Sequence, residues 1–513
     1  MSKRVDTVAL TGVAARLVEV EVDMSRGLPT FNVVGLPEAT VREAKERVRS
    51  ALQNSGYALP SRRITINLAP ADLPKDGGGY DLPMALGVLA AMGQIPPHHL
   101  ENRLFMGELA LDGRIKPVPG CLPAALFARE RGIETLVVPY ANGSEAALVP
   151  DINIAAATTL SELVNAINGS SVWPLVDKVD WHGWLTEQQV ASRDLVDVRG
   201  QEYAKRALEV VAAGGHNMIM SGPPGSGKTL LARCLPDLLP PMTLSEALEV
   251  TAIYSVVGKL TGERPVVCQR PFRTPHHTAS QVSLIGGGST PRPGEVSMAH
   301  RGVLFLDEIP EFGRPVLEVL REPLEAGVVT VARAAGSVTF PARFQLVAAC
   351  NPCPCGHFGD SMHMCRCSGY QIERYRARLS GPLLDRIDLH VEVPPVPFEK
   401  LGELPSGESS AQVRKRVVAA REIQLRRNGN GRLNADMEGN DLNRVTVLDG
   451  MSQDMLLQAS RRMGFSARTY HRILRVARTI ADLSGSEAIQ LEHLAEAIHY
   501  RVGGRFLEEQ EVR

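Results

Sequence analysis

The sequence predicts a multidomain α/β protein with three parts: an α+β N-terminal region, a phosphate-binding α/β core and a small helical C-terminal region. Its 513 residues exceed what one hydrophobic core organises, and this length favours roughly three domains. Strand-like and helix-like patterns alternate over residues 1–167, a Gly-rich loop separates an apolar strand from a helix at 218–235, and a strong helical run occupies 465–480.

Changes in these patterns set the expected boundaries. The expected units are an N-terminal domain at 1–167, a connector at 168–195, a core at 196–395 that contains a cysteine cluster at 353–367, and a linker helix with a helical lid at 396–513.

Composition narrows the class of protein. Hydrophobic residues make up 44% of the chain and charged residues 22%, which are ordinary globular values. The formal net charge is −1, so contact with nucleic acid would require local basic patches. The sequence lacks a run of about 18 apolar residues, which argues against a membrane-spanning protein. Five of the eight cysteines fall between Cys350 and Cys367, which favours metal binding over disulfides. We therefore expect a cytoplasmic protein.

The N-terminal region contains clear local signals. Residues 18–22 and 64–68 alternate with period two and predict strands, whereas residues 38–52 carry apolar side chains at helical spacing. Within 70–92 a Gly-rich turn precedes an apolar helix, and a turn-rich strand pair is expected at 107–115.

This region resembles the proteolytic domain of Lon proteases. Pro74, Lys75, Asp76 and Gly77 match the stretch that carries the serine nucleophile in that family, and the strand pair at 107–115 matches the stretch before its lysine. Gly79 stands where the serine is expected and Leu122 where the lysine is expected. A serine–lysine mechanism needs a hydroxyl and an amine, so we expect a Lon-like fold without peptidase chemistry. The domain would then be a scaffold, an oligomerisation surface or a DNA-contacting ring.

The connector holds every tryptophan of the chain, namely Trp173, Trp181 and Trp184. Large aromatic side chains are uncommon in free linkers, so the connector is expected to dock on a neighbouring surface.

The motif GPPGSGKT lies at the centre of the chain and fits the phosphate-loop pattern G-x-x-x-x-G-K-[ST] without a mismatch. A chance Gly-rich turn would lack the preceding strand and the following helix. Backbone N–H groups and the helix start can hold a phosphate, the lysine can reach its terminal oxygens, and the threonine can bind Mg²⁺. The predicted nucleotide-binding residues are Gly222, Pro223, Pro224, Gly225, Ser226, Gly227, Lys228 and Thr229.

The stretch VLFLDE at 303–308 is a Walker B pattern. Its buried strand would deliver Asp307 to the Mg²⁺ shell and place Glu308 to polarise the attacking water. An ordinary strand end would look similar in isolation, but the phosphate loop earlier in the chain favours the catalytic interpretation.

Three further positions resemble catalytic residues of AAA+ ATPases. Asn351 follows an apolar strand and resembles sensor one, although an Asn that caps a turn before a proline is compatible with it. Arg386 lies in a segment that resembles the arginine finger; the alternative is an ion pair with Asp385 or Asp388. Arg468 resembles sensor two at a helix start, where a solvated arginine is the alternative.

The core and lid together resemble magnesium chelatase motor subunits and MCM helicases, and the whole chain resembles the YifB/ComM family. This resemblance implies a hexameric ring that hydrolyses ATP with Mg²⁺ and moves DNA, promoting branch migration when incoming DNA recombines during natural transformation. Recombination proteins are candidate partners. The competing hypothesis is a protein-remodelling motor of the magnesium chelatase type. An ATP-dependent protease is disfavoured by Gly79 and Leu122.

Candidate DNA contacts lie in two places. Residues 324–340 predict a β-hairpin with Arg333 at its tip, and hairpins at this place project into the ring pore of the related motors. The insertion at 268–294 mixes Phe272 with cations, of which Arg270 and Arg273 are the candidates. The alternative for the hairpin is a tip whose arginine is only solvated. The alternative for the insertion is a loop that responds to nucleotide without contacting DNA. Arginine runs at 414–432 and 461–478 add weak support, because solvated helix faces look the same.

The cysteine cluster consists of two C-x-C pairs, Cys353 with Cys355 and Cys365 with Cys367. Four thiolates predict a closed, structural Zn²⁺ site. Reduced thiols without metal are the alternative, and His357 or His363 could replace a cysteine.

Overall fold

The computed structural model describes residues 3–179, 193–288, 290–333, 336–359, 363–396 and 407–502. None of the helices in these ranges is both long and apolar enough to cross a membrane.

The N-terminal region is built on a seven-stranded mixed sheet with the order β3-β4-β2-β1-β5-β8-β9. A separate hairpin is formed by β6 and β7. The strands are β1 Lys3–Thr11, β2 Ala14–Ser25, β3 Thr30–Val34, β4 Arg63–Ala69, β5 Arg103–Phe105, β6 Glu108–Leu109, β7 Ile115–Lys116, β8 Thr135–Pro139 and β9 Asn153–Ala157.

The two predicted alternating strands are antiparallel neighbours in this sheet. Val20 pairs with Leu68 and Val22 with Ile66, and all four side chains are buried on the same face. The period-two pattern therefore identifies the side of the sheet on which helices pack.

Helices cover both faces of the N-terminal sheet. Those on one side share a core with Val20 and Ile66, and α3 lies in a second core on the other side. The predicted apolar helix corresponds to α2, whose residues are buried from Asp81 to Ala90. The helices are α1 Ala39–Asn54, α2 Asp81–Ala91, α3 Cys121–Glu130, α4 Gly143–Ala146 and α5 Leu160–Ile167.

The central region contains a five-stranded sheet with the order β11-β14-β17-β10-β18, and every pairing in it is parallel. Parallel strands place the loops that follow them at one edge of the sheet. The central strands are β10 Met218–Ser221, β11 Phe272–Arg273, β14 Val303–Leu306, β17 Gln345–Cys350 and β18 Leu389–Glu392. Two hairpins accompany the sheet: β12 Gly286–Gly287 with β13 Arg292–Pro293, and β15 Val328–Arg333 with β16 Gly336–Pro341.

The predicted hairpin at 324–340 is confirmed with one correction. Residues 324–326 end a helix, Arg321–Ala326, and Gly327 closes this helix with a φ of 67° before β15 begins. Leu324 and Ala326 are good helix formers, which explains why the helix extends into the predicted strand.

Helices flank both faces of the central sheet. They are α6 Glu202–Gly214, α7 Lys228–Leu238, α8 Leu244–Val256, α9 Gln281–Ile285, α10 Glu295–Met298, α11 Arg314–Glu318, α12 Arg321–Ala326, α13 Gly369–Arg376 and α14 Gly381–Leu384. Short 3₁₀ turns lie at Gly78–Tyr80, Pro97–Leu100, Tyr140–Asn142, Leu195–Asp197, Ile309–Glu311 and Asn434–Asp436.

The C-terminal region is helical as predicted. Its helices are α15 Ser410–Asn428, α16 Gly439–Val445, α17 Gly450–Met463, α18 Ala467–Leu483 and α19 Leu491–Val502. Leu208 of α6, Val417 of α15 and Ile473 of α18 belong to one hydrophobic cluster, so the lid and the central sheet share a core. α18 packs most extensively on α19 and α15 of the lid and on α6 of the central region.

The N-terminal region is joined to the central region by a buried carboxylate. Glu145 accepts hydrogen bonds from Ser255 Oγ at the end of α8 and from the backbone N–H of Leu122 at 3.0 Å. Burial raises the pKa of Glu145. The position of the Lon lysine is thus occupied by a buried leucine at a domain contact.

The connector is described as far as residue 179. Trp173 packs against the N-terminal core, and the guanidinium of Arg103 lies over its ring at 4.7 Å. Docking is confirmed for this tryptophan; Trp181 and Trp184 lie outside the described residues.

Candidate nucleotide-binding site

The loop after β10 forms an open cradle. Gly225 and Gly227 adopt φ angles of 77° and 94°, which only glycine adopts easily, and a Cβ on either would meet nothing within 4 Å. Gly222 serves a different purpose, because a Cβ there would lie 2.1 Å from the carbonyl oxygen of Val393. Within the described chain the buried Ser226 Oγ has no hydrogen-bond partner. The open concavity at Gly225 and Gly227 suits an anionic ligand.

Lys228 begins α7 and is only 8% exposed. Its Nζ donates to the carbonyl oxygens of Gly222 and Pro223 at 2.7 and 2.9 Å, and to Asn351 Oδ1 at 3.3 Å. Burial lowers the pKa of this amine. The fold therefore brings the phosphate-loop lysine together with an asparagine 123 residues later in the chain.

Thr229 and Asp307 are also in contact. The Thr229 hydroxyl donates to Asp307 Oδ2 at 2.8 Å, and Asp307 Oδ1 accepts from the backbone N–H of Glu308 at 3.0 Å. A hydroxyl and a carboxylate oxygen are hard ligands that Mg²⁺ prefers. These two residues fit a Mg²⁺ ion that also binds nucleotide phosphates.

Glu308 occupies a left-handed backbone conformation, with φ 50° and ψ 45°. For a residue with a Cβ this conformation is uncommon, and it turns the chain sharply at the end of β14. The carboxylate is 54% exposed and lies 3.9 Å from Nδ1 of His277. It is therefore accessible to a water molecule while it remains fixed to the Walker B strand.

His277 is a neighbour of the site that the sequence did not identify. The sequence placed it in an insertion with two alternatives, DNA contact or nucleotide response. Since β11 pairs in parallel with β14 and Arg273 lies opposite Leu304, the residues after Arg273 lie beside those after Leu304, which include Glu308. A prediction that these two strands are parallel neighbours would have placed His277 beside Glu308.

Arg386 is engaged within its own chain. Its side chain is 8% exposed, donates to the carbonyl oxygen of Pro382 at 2.7 Å and forms an ion pair with Glu325. The alternative partners Asp385 and Asp388 contact other arginines, Arg501 and Arg472. Among the described residues, no hydrogen bond joins Arg386 to the phosphate loop of the same chain.

Arg468 is exposed at the start of α18, two residues after the helix cap Ser466. One turn later, Arg472 donates to the buried carboxylate of Asp388. Burial by itself would raise the pKa of Asp388, but Arg472, His216 and the backbone N–H of Asn217 hold it well below its usual range. The ion pair fixes the helix that carries Arg468 to the segment that carries Arg386.

The proposed DNA contacts do not share one environment. Arg333 ends β15 and pairs with Gly336 at the tip of the hairpin, as predicted. Arg273 forms an ion pair with Glu295, with nitrogen–oxygen distances of 2.6 and 2.8 Å. Arg270 requires a correction. Its guanidinium is buried and donates to the carbonyl oxygens of Pro240 and Arg301 and to Glu246, so we assign it to the framework of the fold and not to DNA.

Several arginines of the two basic runs also stabilise the fold. Arg416 pairs with Glu209, Arg427 with Asp482, and Arg478 with the same Asp482. Part of the positive charge in both runs is therefore used inside the protein.

The four cysteines of the cluster converge. The sulfurs of Cys353, Cys355 and Cys365 are 3.4 to 3.7 Å apart, and with that of Cys367 they all lie within 4.8 Å of one another. Four thiolates around Zn²⁺, each at about 2.3 Å, have sulfurs separated by about 3.8 Å. The cysteines thus fit a tetrahedral metal ion.

The surroundings do not act alike on the four thiols, since burial raises the pKa of Cys365, whereas Cys355 is favoured as thiolate. Backbone N–H groups of Arg366 and His357 lower the pKa of the Cys355 thiol to about 6. The rings of His357 and His363 contact each other at 4.9 Å, and in the described part of the chain the group that could hold a metal ion consists of cysteines.

Comparison with known families covers most of the chain. Residues 194–401 match the family described as magnesium chelatase, subunit ChlI; residues 20–142 match subunit ChlI of Mg-chelatase; and residues 407–501 match the C-terminal part of subunit ChlI.

Two full-length similarities accompany these matches. The chain is 48% identical to competence protein ComM of Haemophilus influenzae over 98% of this chain and 97% of that protein. It is 45% identical to the uncharacterized protein YifB of Escherichia coli, with the same shares covered. Lon protease 2 of Bacillus subtilis is 28% identical over 167 residues, which is 29% of each chain.

Proposed function

This chain belongs to the YifB/ComM family of magnesium chelatase-like AAA+ ATPases, and from that premise we propose that it is a ring-shaped, ATP-hydrolysing motor that translocates on DNA. The proposed role is branch migration during recombination of incoming DNA in natural transformation, within the cytoplasm. One observation carries the ATPase part: Lys228, Thr229, Asp307 and Asn351 converge at one edge of a parallel sheet. The relative named a competence protein supports the role in transformation.

The chain's own residues suit the binding of ATP. Lys228 is held by carbonyl oxygens that a phosphate oxygen can replace as its partner, and the helix that begins at Lys228 offers N–H groups at its start to the same ligand. Thr229 and Asp307 would hold Mg²⁺, which when bound neutralises charge on the phosphates. Asn351 would sense the terminal phosphate, since its amide oxygen already contacts the lysine.

Glu308 would orient and deprotonate the attacking water. Its exposed carboxylate has room for water, and its backbone is fixed by β14 on one side and a 3₁₀ turn on the other. Arg386 would complete the site from a neighbouring subunit, where a guanidinium offsets negative charge on the transferred phosphoryl group. Arg386 would have to exchange its ion pair with Glu325 for this contact. Arg468 would act from the lid, on its own or the adjacent site.

A ring of six copies is the proposed assembly, as the family resemblance implies, and an arginine finger that acts across an interface between subunits is consistent with a ring. Such a ring repeats Arg333 of each β-hairpin around a common axis, which gives a positive surface for a phosphate backbone. Arg273 is a second candidate, although its pairing with Glu295 makes it the weaker one. The Lon-like domain would serve as scaffold, since Gly79 and Leu122 supply no peptidase dyad.

The cysteine cluster is proposed to hold a structural Zn²⁺. The sulfur–sulfur distances support this identification, as four thiolates leave no open coordination position for catalysis. Protein purified without added metal is expected to contain about one equivalent of zinc; folded, metal-free protein would contradict the proposal.

The second candidate function is a protein-remodelling motor. The match of residues 194–401 to a magnesium chelatase subunit favours it, because that family name refers to an enzyme complex and not to DNA. The motor residues are shared by both hypotheses, so they do not separate them.

The decisive experiment measures ATP hydrolysis and junction unwinding by the purified protein with branched DNA. We expect branched DNA to stimulate hydrolysis and to be unwound, and Arg333→Ala to lose both effects. Arg49→Ala provides a matched control, because this exposed arginine lies on α1, outside the hairpin, the insertion and both basic runs. Absence of stimulation and of unwinding by an active ATPase would refute the DNA function and favour the remodelling motor.

A further inference from the structure

The cysteine cluster lies directly against the nucleotide site. Its first cysteine, Cys353, follows Asn351 by two residues, and Asn351 contacts the phosphate-loop lysine. Gly356, between the first cysteine pair and the rest of the loop, is buried against Pro224 of the phosphate loop. A Cβ at Gly356 would lie 2.5 Å from Cδ and 2.8 Å from Cγ of this proline.

The second cysteine pair leads into a helix that contacts the other half of the site. Cys367 precedes Ser368, whose hydroxyl caps α13 by accepting from the Gln371 N–H at 3.3 Å. Just beyond α13, Arg378 donates to the carbonyl oxygen of Pro310 at 3.2 Å and to Glu311 at 2.6 Å, in the 3₁₀ turn that follows Glu308.

A third contact joins the cysteine loop to the end of α13. The guanidinium of Arg376, at the end of α13, lies over the ring of Phe358 at 5.3 Å. The cysteine loop and α13 therefore form one unit that contacts the phosphate loop at Pro224 and the Walker B turn at Glu311.

We propose that the metal ion held by the four cysteines is a clamp on the nucleotide site, so that its binding strengthens the binding of ATP. The two cysteine pairs lie on either side of a loop. A metal ion bound by both pairs would restrict the conformations that this loop can adopt. Restricting the loop keeps Gly356 packed on Pro224 and α13 packed on the Walker B turn. The inference rests on the proposed ATP and zinc binding and adds a coupling between them.

Thermodynamic linkage makes this coupling reciprocal. If zinc increases the affinity for ATP by some factor, ATP increases the affinity for zinc by the same factor. A coupling of one to two kcal/mol corresponds to a factor of about 5 to 30, which is the range we expect. Zinc retention in the presence of nucleotide is therefore a readout that does not depend on hydrolysis.

The experiment uses the full chain, loaded with zinc and kept in Mg²⁺. A fluorescent ATP analogue is titrated before and after treatment with a zinc-selective chelator, and again after zinc is restored. We expect removal of zinc to weaken binding about 5- to 30-fold and restoration to reverse it. Nucleotide should slow the release of zinc to a chromogenic chelator. Cys365→Ser removes one ligand and should weaken binding of the analogue as zinc removal does. Cys268→Ser is its matched control, because this partly exposed thiol lies outside the cluster.

Gly356→Ala tests the contact itself. The new methyl group meets Pro224, and the backbone φ of 85° disfavours alanine, yet all four thiolates remain. We expect zinc content to be kept and affinity for the analogue to fall. This variant keeps the inference testable if Cys365→Ser fails to fold.

The possible results distinguish failure of this inference from failure of the ATP-binding and zinc-binding proposals on which it rests. Zinc-loaded protein that does not bind the analogue would refute the ATP proposal, and folded protein without zinc would refute the metal site. Protein that binds both, with an affinity for ATP that is unchanged after zinc removal, would refute the clamp alone.

Discussion

Replacement of Glu308 by glutamine separates binding of ATP from its hydrolysis. The amide matches the carboxylate in shape but accepts a proton poorly. The side chain is 54% exposed, so its replacement is expected to change the free energy of unfolding by less than about 0.5 kcal/mol. The backbone turn at φ 50° is set by the Walker B strand and the following 3₁₀ turn, which the substitution leaves in place.

The expected kinetic effect follows from the role of a general base. Its loss slows turnover by about 100- to 10,000-fold, which raises the activation barrier by about 3 to 5 kcal/mol. Binding should persist, because the hydrogen bonds of Asp307 to the Thr229 hydroxyl at 2.8 Å and to the Glu308 N–H at 3.0 Å do not use the Glu308 side chain. The affinity for ATP is therefore expected to stay within about twofold of the natural protein.

Two assays check this prediction. Steady-state release of phosphate gives kcat, and equilibrium titration with a fluorescent ATP analogue gives Kd. Glu322→Gln is the control, since this exposed carboxylate lies on α12 outside the nucleotide site. A kcat within threefold of the natural protein, or a loss of binding as large as the loss of turnover, would show that Glu308 is wrongly assigned.

Further substitutions test the rest of the site and its support. Lys228→Ala should weaken ATP binding by about 10- to 150-fold, the value of one charge-assisted hydrogen bond; an affinity within twofold would contradict this assignment. Arg386→Ala should bind ATP without turning it over, and mixing it with Lys228→Ala should restore part of the activity in mixed rings; no recovery would argue against action in trans. Asp388→Asn should lower the free energy of unfolding at pH 7 by about 3 kcal/mol, because it leaves Arg472, whose side chain is only 16% exposed, without its charge partner. Since the pKa of Asp388 is depressed, its contribution is present above about pH 5 and is lost as the pH falls further. Urea unfolding should therefore show the gap between the two proteins narrowing below about pH 5, whereas a constant gap down to pH 3 would refute this reasoning.

Much of the fold could be predicted because its signals are local. The alternation at 18–22 and 64–68 required one buried face on each strand, and the two strands are neighbours in one sheet with those faces on the same side. GPPGSGKT constrains its own backbone through two glycines with positive φ, so strand, loop and helix could be predicted without knowing the partners. The same holds for the cysteine pairs, whose spacing brings four thiolates within reach of one ion.

The correction at Arg270 depended on the surroundings of its side chain in the fold. Arg270 and Arg273 look alike in the sequence, yet one is buried among carbonyl oxygens and the other pairs with Glu295 near the surface. Arginine is compatible with both environments, because its long aliphatic stem packs in a core while its guanidinium finds polar partners. The composition of the insertion therefore could not show which of these two arginines lies nearer to solvent.

The sequence by itself determined that a phosphate loop, a Walker B strand and a thiolate cluster exist, since each depends on residues a few positions apart. Only the tertiary structure decided what these elements contact. The parallel order of β11, β14, β17 and β10 brings His277 to Glu308 and Asn351 to Lys228, and packing of the cysteine loop sets Gly356 on Pro224. Such contacts join residues far apart in the chain, and strand order and core packing select them through interactions that no short stretch of sequence contains.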